Sequence, residues 1–306
     1  MTTPFIDAQA ALGFVTSQTS HIETQVNEVE YADIQYQDLV PVDTSAPEYA
    51  QTVTYYSADK FGAAEFINGN AEDMPLVGSE RTKHETAIHM AGVGYEYGFQ
   101  EIGQAQMLGR SLPVELAMAA RRAYEEKVDG VAFKGDTSKG FVGLINSTAV
   151  TAASAATGTW ASATAENIFK DINGALEGVR SATTSVALAD TLLLPESVGQ
   201  YLATPMAGSG IPIYEYIKKY NLYTMRTGKE LMIRTVNGLE TAGASSTKRV
   251  VAYRRDPEVL KMHIPMVHRF LPAMQNGPLK IMVPGVFALG GLDIRRPKEV
   301  RYMDGV

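Results

Sequence analysis

The chain has 306 residues, 45% hydrophobic and 20% charged, an ordinary globular composition with enough apolar material for a sizeable core. Its formal net charge of −7 argues against a general basic surface for nucleic acid, and the lack of cysteine excludes disulfides, thiolate metal sites and cysteine nucleophiles. No run of ~18 apolar residues suggests a membrane span. The first residues, MTTPFIDAQAALGF, lack the basic start and apolar stretch of a secretory signal, so the default compartment is the cytoplasm of the producing cell.

Residues 1–47 are polar and acidic, with one weak strand-like run, VNEVEYADIQY, at 26–36. They read as an extended arm that needs a partner surface to be fixed. Residues 50–57 (AQTVTYYS) read as a strand. Residues 84–99 read as its return, ending in the alternation Val93, Tyr95, Tyr97, Phe99. Together they predict a long hairpin whose tip, 58–82, carries Gly62, Gly69, Pro75 and Gly78. Loops of this length inside a domain are commonly functional, and a lone two-stranded ribbon is marginal in water. A neighbouring subunit is the natural surface for it to lie on.

The most informative stretch is 111–145. A long alanine-rich helix opens at Ser111 and Pro113 and runs to about Phe133, roughly 33 Å. Ala117, Ala120 and Ala123 are expected to face packed neighbours, and Arg122 and Glu126 to face water or another subunit. Gly135, Gly140 and Gly143 then break the helix, with an apolar exit at Phe141–Ile145. Residues 147–163 read as a small-residue linker. A second helix spans 165–180, with Ile168, Ile172, Leu176 and Val179 at helical spacing and Glu166 in its first turn. Thr191–Leu194 reads as a buried strand. Pro195 starts a short helix through Leu202, 204–210 is a flexible loop, and Ile211–Tyr220 is another short helix. Strands follow at about 230–236 and 248–254, and two more lie in 278–303. No internal repeat and no linker between independent domains is evident.

Candidate chemistry gives way to ordinary structural readings. His84, Glu85 and His89 suggest a helical zinc motif, but the histidines are five apart instead of four, and the segment reads as strand, where such positions face opposite sides. His263 and His268, with Pro265 between them, share that spacing and are likewise read as ordinary structural residues. Gly135–Gly143 follows a helix and has no Gly-Lys-Ser/Thr, so it is not a phosphate loop. Gly208-Ser209-Gly210 lacks the nucleophile-elbow pattern. Arg254-Arg255 and Arg295-Arg296-Pro297-Lys298 read as a solvated face, with inter-subunit ion pairs as the functional alternative. The 15 tyrosines and 13 methionines suit adaptable interfaces, although most belong in the core. Catalytic, cofactor-binding and metal residues are therefore expected to be none.

The order of arm, hairpin, long helix, helix-and-sheet middle and returning strands resembles the Hong Kong 97 fold of tailed-bacteriophage major capsid proteins, shared with encapsulin shells. The local carriers are Asp129, Phe133-Lys134-Gly135 and Gly143-Leu144-Ile145 at the end of the spine helix, and the closing stretch GGLDIRRPKEVRYMDGV. The resemblance implies an α+β fold. It places an N-terminal arm at 1–47, an extended loop at 48–100, a peripheral domain at 101–180 and 270–306 with spine helix 112–133, and an axial domain at 181–269.

The implied function is structural: a major capsid protein that self-assembles into the icosahedral head around the double-stranded DNA genome of a tailed phage. The alternative is an encapsulin-type compartment shell carrying an enzyme cargo. A soluble enzyme is the rival of another class, but the chain lacks the convergent titratable residues such an enzyme should have. The implied partners are copies of the chain in hexamers and pentamers, a portal, a scaffold and cement proteins, with DNA enclosed but not read and no membrane. The implied location is the virion, assembled in the host bacterial cytoplasm. Some members crosslink a loop lysine to a neighbour's asparagine with the help of a glutamate. Here Lys60 and Lys83 lie in the loop and Asn276 is the candidate asparagine, but no motif pins the trio. No ~100-residue leader is visible, so any scaffold is expected to be a separate protein.

Overall fold

The computed structural model describes residues 33–64, 76–107, 112–205, 208 and 210–306. Residues from Ile34 to Val306 form one unit. Most of the expected arm and the distal hairpin tip lie outside the described residues, as do Ser111 at the expected helix start and Ser209 of the expected loop.

The described chain begins with a one-turn helix, α1 (Tyr36–Leu39), and a two-residue strand, β1 (Val42–Asp43). The strand-like run expected at 26–36 falls mostly outside the described residues, and its last residue opens α1. The hairpin follows. β2 (Thr52–Phe61) pairs antiparallel with β3 (Gly78–Ala87), from Thr52 opposite Ala87 to Phe61 opposite Gly78. The return strand thus ends at Ala87, earlier than expected. β4 (His89–Gly92) and β5 (Tyr95–Gly98) leave the hairpin for two other sheets. Gly94 permits the switch, because a Cβ there would lie 2.5 Å from the carbonyl oxygen of Val283.

A short helix, α2 (Phe99–Met107), precedes the spine helix, α3 (Leu112–Lys134). The spine's buried seam is Ala120, Tyr124, Val128 and Val131, spaced four, four and three. Of the three alanines expected inside, Ala120 is buried, Ala117 is half-buried and Ala123 is exposed. Each step of three residues turns ~60° short of a full circle, so the three alanines walk off the stripe.

The end of the spine accounts for the Phe-Lys-Gly and Gly-Leu-Ile residues. A helix leaves its last four carbonyls without partners. Here the chain returns and supplies donors: Leu144 N–H to Ala132 O (2.9 Å), Ile145 N–H to Phe133 O (3.1 Å), and the Asn146 amide to Lys134 O (2.6 Å). The return passes so close that a Cβ on Gly143 would sit 2.1 Å from Phe133 O. The turn itself is a two-strand hairpin, β6 (Gly135–Asp136) with β7 (Phe141–Val142).

Residues 147–163 are not a linker. They contain an edge strand, β8 (Thr151–Ser154), and a buried Trp160 whose indole N–H donates to Asp171 (3.1 Å). Small residues hid the strand, because Thr-Ala-Ala-Ser has no apolar alternation. The second helix, α4 (Ala165–Ala182), is N-capped by Thr164 and buries Ile168, Ile172, Leu176 and Val179, as its spacing predicts. β9 (Thr191–Leu194) is fully buried. The short helices are α5 (Gly199–Leu202), α6 (Ile213–Lys219) and α7 (Leu222–Thr227), and the sequence reading missed the last. Strands β10 (Met232–Thr235) and β11 (Arg249–Tyr253) match expectation.

The C-terminal third holds more strands than expected. They are β12 (Leu260–His263), β13 (Met266–Phe270), β14 (Met274–Gln275), β15 (Lys280–Val283), β16 (Gly285–Leu289), β17 (Leu292–Ile294) and β18 (Val300–Asp304).

A five-stranded mixed sheet, ordered β10-β9-β11-β18-β8, divides two hydrophobic cores. Alternation along each strand sends Leu193, Val251, Tyr253 and Tyr302 to the spine side. Leu192, Leu194, Val250, Ala252 and Met303 face α4. With both faces covered, the inner strands β9 and β11 are buried throughout and read as nearly continuous apolar runs. The closing strand β18 and helix α4 therefore share a sheet and a core with much of 181–269, so hydrophobic packing crosses the boundaries drawn at 180 and 269. Three-stranded sheets ordered β1-β12-β17, β13-β16-β4 and β14-β15-β5 complete the fold.

Candidate assembly surfaces

The turn at α1 is tied to the spine by carboxylates. Asp129 accepts hydrogen bonds from the N–H groups of Gln35 (2.9 Å) and Tyr36 (3.0 Å), and the Tyr36 hydroxyl donates to Glu125 (2.7 Å). Burial holds the Asp129 carboxyl above its ordinary range despite those two donors. Burial and the neighbouring Glu125 raise the Tyr36 phenol strongly. Asp129 thus holds the first turn of α1 against the spine, and α1 buries Tyr36 and Leu39 beneath it.

The ribbon is mostly exposed along both strands. Among the described residues β2 and β3 form a sheet only with each other. Their far end presents Phe61, Leu76 and Val77, with Leu76 84% and Val77 81% exposed. On the ribbon, His84 stacks on Tyr55 (4.8 Å) and shares a hydrogen bond with the Ser57 hydroxyl (2.9 Å). Further exposed apolar side chains are Phe99 and Met107 on α2 and Val114 and Met118 on the spine. Apolar patches of this kind mark contact surfaces.

The residues weighed for chemistry are scattered. His89 packs edge-on against Phe141 (5.4 Å), apart from the His84–Tyr55 stack. His268 stacks on Tyr124 (5.3 Å). His263 is buried in the β1-β12-β17 sheet. Among the described residues no group of three or more acids and histidines is arranged to hold a metal ion. The basic clusters pair within the chain: Arg254 with Asp256 and Glu299, Arg295 with Asp293, and Arg296 with Glu258 and Glu299.

Lys83 pairs with Glu85, and Lys60 lies exposed opposite Ser79 on the ribbon. Asn276 sits on a different element, the exposed turn between β14 and β15. The chain itself does not bring the three together. A cavity of about 290 Å³ between α4 and β8 is lined by Lys170, Asp171 and Arg301. Its carboxylate is already engaged by Thr157 and Trp160. The prominent exposed features among the described residues are therefore apolar side chains.

A family model for the major capsid protein matches residues 62–306. The chain belongs to the major capsid protein family. No curated protein gives a sequence match. Among solved structures, the capsid of Myoviridae phage XM1 is similar at 19% identity and a TM-score of 0.81, covering 95% of this chain and 98% of that one. A chain of Mycobacterium phage Bobi is similar at 14% identity and a TM-score of 0.64, covering 94% and 96%. The capsid of an empty GTA particle is similar at 9% identity and a TM-score of 0.66, covering 98% and 99%. These likenesses establish the Hong Kong 97 fold as an α+β fold, and the family gives the capsid protein a structural role. The encapsulin alternative is not favoured. No described helix is long and apolar enough to cross a membrane.

Proposed function

We propose that this capsid protein assembles into hexamers and pentamers that close into the icosahedral head of a tailed phage around its double-stranded DNA. The observation that carries this reading, beside family membership, is the two-stranded ribbon with apolar residues at its far end. A two-stranded ribbon that joins no larger sheet is marginal in water, and a neighbouring copy can cover both its apolar side and its edges. Repeated heterologous contacts of that kind close into rings. In this reading residues 1–47 act as the arm, 48–100 as the extended loop, 101–180 with 270–306 as the peripheral domain, and 181–269 as the axial domain. Packing supports one refinement, placing α4 and β18 with the axial sheet.

Portal, scaffold and cement proteins are the further partners, and DNA is enclosed without sequence-specific contact. Assembly takes place in the host bacterial cytoplasm. The protein carries no catalytic, cofactor or metal site, and its work is mechanical. The test is expression of the full chain with and without candidate scaffold, followed by electron microscopy. Closed shells with five- and six-fold capsomers support the proposal. A strictly monomeric or dimeric protein under every condition overturns it.

A further inference from the structure

His263 is 1% exposed, and neither of its ring nitrogens makes a hydrogen bond. It stands between two carboxylates. Nδ1 is 3.6 Å from Asp43 on β1, and Nε2 is 3.8 Å from Asp293 on β17. Both distances are too long for a hydrogen bond, and closing them needs movement of roughly 1 Å. The other groups facing this cluster are Lys261 on β12, which donates to Asp43 (3.2 Å), and Arg295 beyond β17, which donates to Asp293 (3.0 Å). Ser45 donates to Asp43 through its hydroxyl (2.6 Å) and its N–H (3.0 Å). Tyr55 at the base of the ribbon lies under the Arg295 guanidinium at 4.4 Å and also faces Asp293.

The donor inventory does not match the neutral ring. A neutral imidazole has one donor and one acceptor nitrogen, whereas an ionised carboxylate only accepts. Between two carboxylates, the acceptor nitrogen of a neutral ring therefore faces another acceptor. The imidazolium, with donors on both sides, satisfies both. Asp43 is held ionised: burial raises it, but the Ser45 donors and Lys261 outweigh this and bring it down to about 2.

We propose that His263 is a proton-operated clasp for the inner end of the arm. Protonated, it donates to Asp43 and Asp293 together and draws β1 onto β12. Deprotonated, it turns an acceptor nitrogen toward a carboxylate that already has its own donors, and β1 loosens. Imidazole is the side-chain class that changes charge near neutral pH, so pH is the variable that tests the clasp. Through Arg295 and Tyr55 the same cluster touches the base of the ribbon, so the proton also bears on the second projecting element. This clasp belongs to the subunit's own fold and does not depend on the assembly reading.

Hydrogen exchange on the full-length protein tests it. The N–H groups of Met262 and Ile264 donate to Pro41 O (2.8 Å) and Asp43 O (2.9 Å), so their exchange reports β1 pairing directly. After correction for intrinsic chemistry, protection at these amides is expected to be about tenfold higher at pH 5.5 than at pH 8. His263→Gln abolishes the difference, and His84→Gln on the ribbon retains it. Should His263→Gln fail to fold, ring nitrogen resonances of the parent protein decide. The clasp requires both His263 nitrogens to carry protons at pH 5.5 and the Ile264 amide to shift with the same midpoint. Protection that is flat with pH in the parent, an unchanged pH dependence in His263→Gln, or a ring that stays neutral across the range overturns the proposal.

Discussion

Ala120 and Ala123 lie three residues apart on the spine and differ completely in environment, since Ala120 is 5% exposed and Ala123 faces outward. Overpacking a filled seam costs ~1–3 kcal/mol against a typical domain stability of ~5–15 kcal/mol. Ala120→Leu should therefore lower the thermal midpoint and the soluble yield, while Ala123→Leu should leave both near the parent values. Gly143→Ala should be worse than its size suggests, because the new methyl meets the carbonyl of Phe133 at the capped end of the spine.

Arg249 and Asp304 form a nearly buried fork, with bonds of 2.6 and 2.8 Å, and Arg249 also donates to Ile145 O (2.7 Å) and lies over Tyr302. Removing one partner of such a pair costs ~3–5 kcal/mol. Burial raises Asp304, but Arg249 and the Ala244 N–H outweigh it, so its carboxyl is held below the usual range. A depressed folded-state value means this stabilisation is present above the unfolded carboxylate value near 3.9 and is lost as pH falls through the folded one. Asp304→Ala should thus lower stability at pH 7 and flatten the acid limb of a stability–pH curve followed by circular dichroism.

Legibility varied from element to element for physical reasons. The spine, α4, β9 and the first ribbon strand were readable because each carries a strong period or an unbroken apolar run bounded by glycine or proline. β8 and α7 were missed: one is built of small residues, and the other is six residues long. The many short strands after residue 260 are two to five residues each, too short for alternation to declare itself. The Ala117–Ala120–Ala123 reading followed residue size where the 3.6-residue turn decides the buried face.

The ribbon and the arm anchor carry the element-scale predictions. Deleting residues 60–80 removes the far end of a ribbon that buries little, so the subunit should keep its circular dichroism spectrum. The fraction sedimenting as shells should fall sharply, and normal, equally stable shells would mean the ribbon is no intersubunit clamp. Asp129→Ala removes the acceptor for two N–H groups of α1. It should cost ~1 kcal/mol or more and raise proteolysis near residues 33–40 without melting the spine.

At the scale of the whole molecule, the sequence carried the fold through one long helix, one long hairpin and the residues that close the spine. Those residues proved to be a capping device: the carbonyls of Ala132, Phe133 and Lys134 receive donors from Leu144, Ile145 and Asn146. The clustering of Asp43, His263 and Asp293 could not be read in advance, because β1 and β17 meet β12 from residues far apart in the chain. The central claim is that the exposed ribbon and the exposed apolar side chains of the spine exist to be covered by copies of the same chain. The most direct measurement is electron microscopy of the purified full-length protein at assembly concentrations, with single-particle reconstruction of what forms. The expected result is a closed shell in which residues 52–61 and 78–87 of each subunit lie on a neighbour. Shells whose ribbons stand free in solvent, or no shells at all with scaffold present, would contradict it.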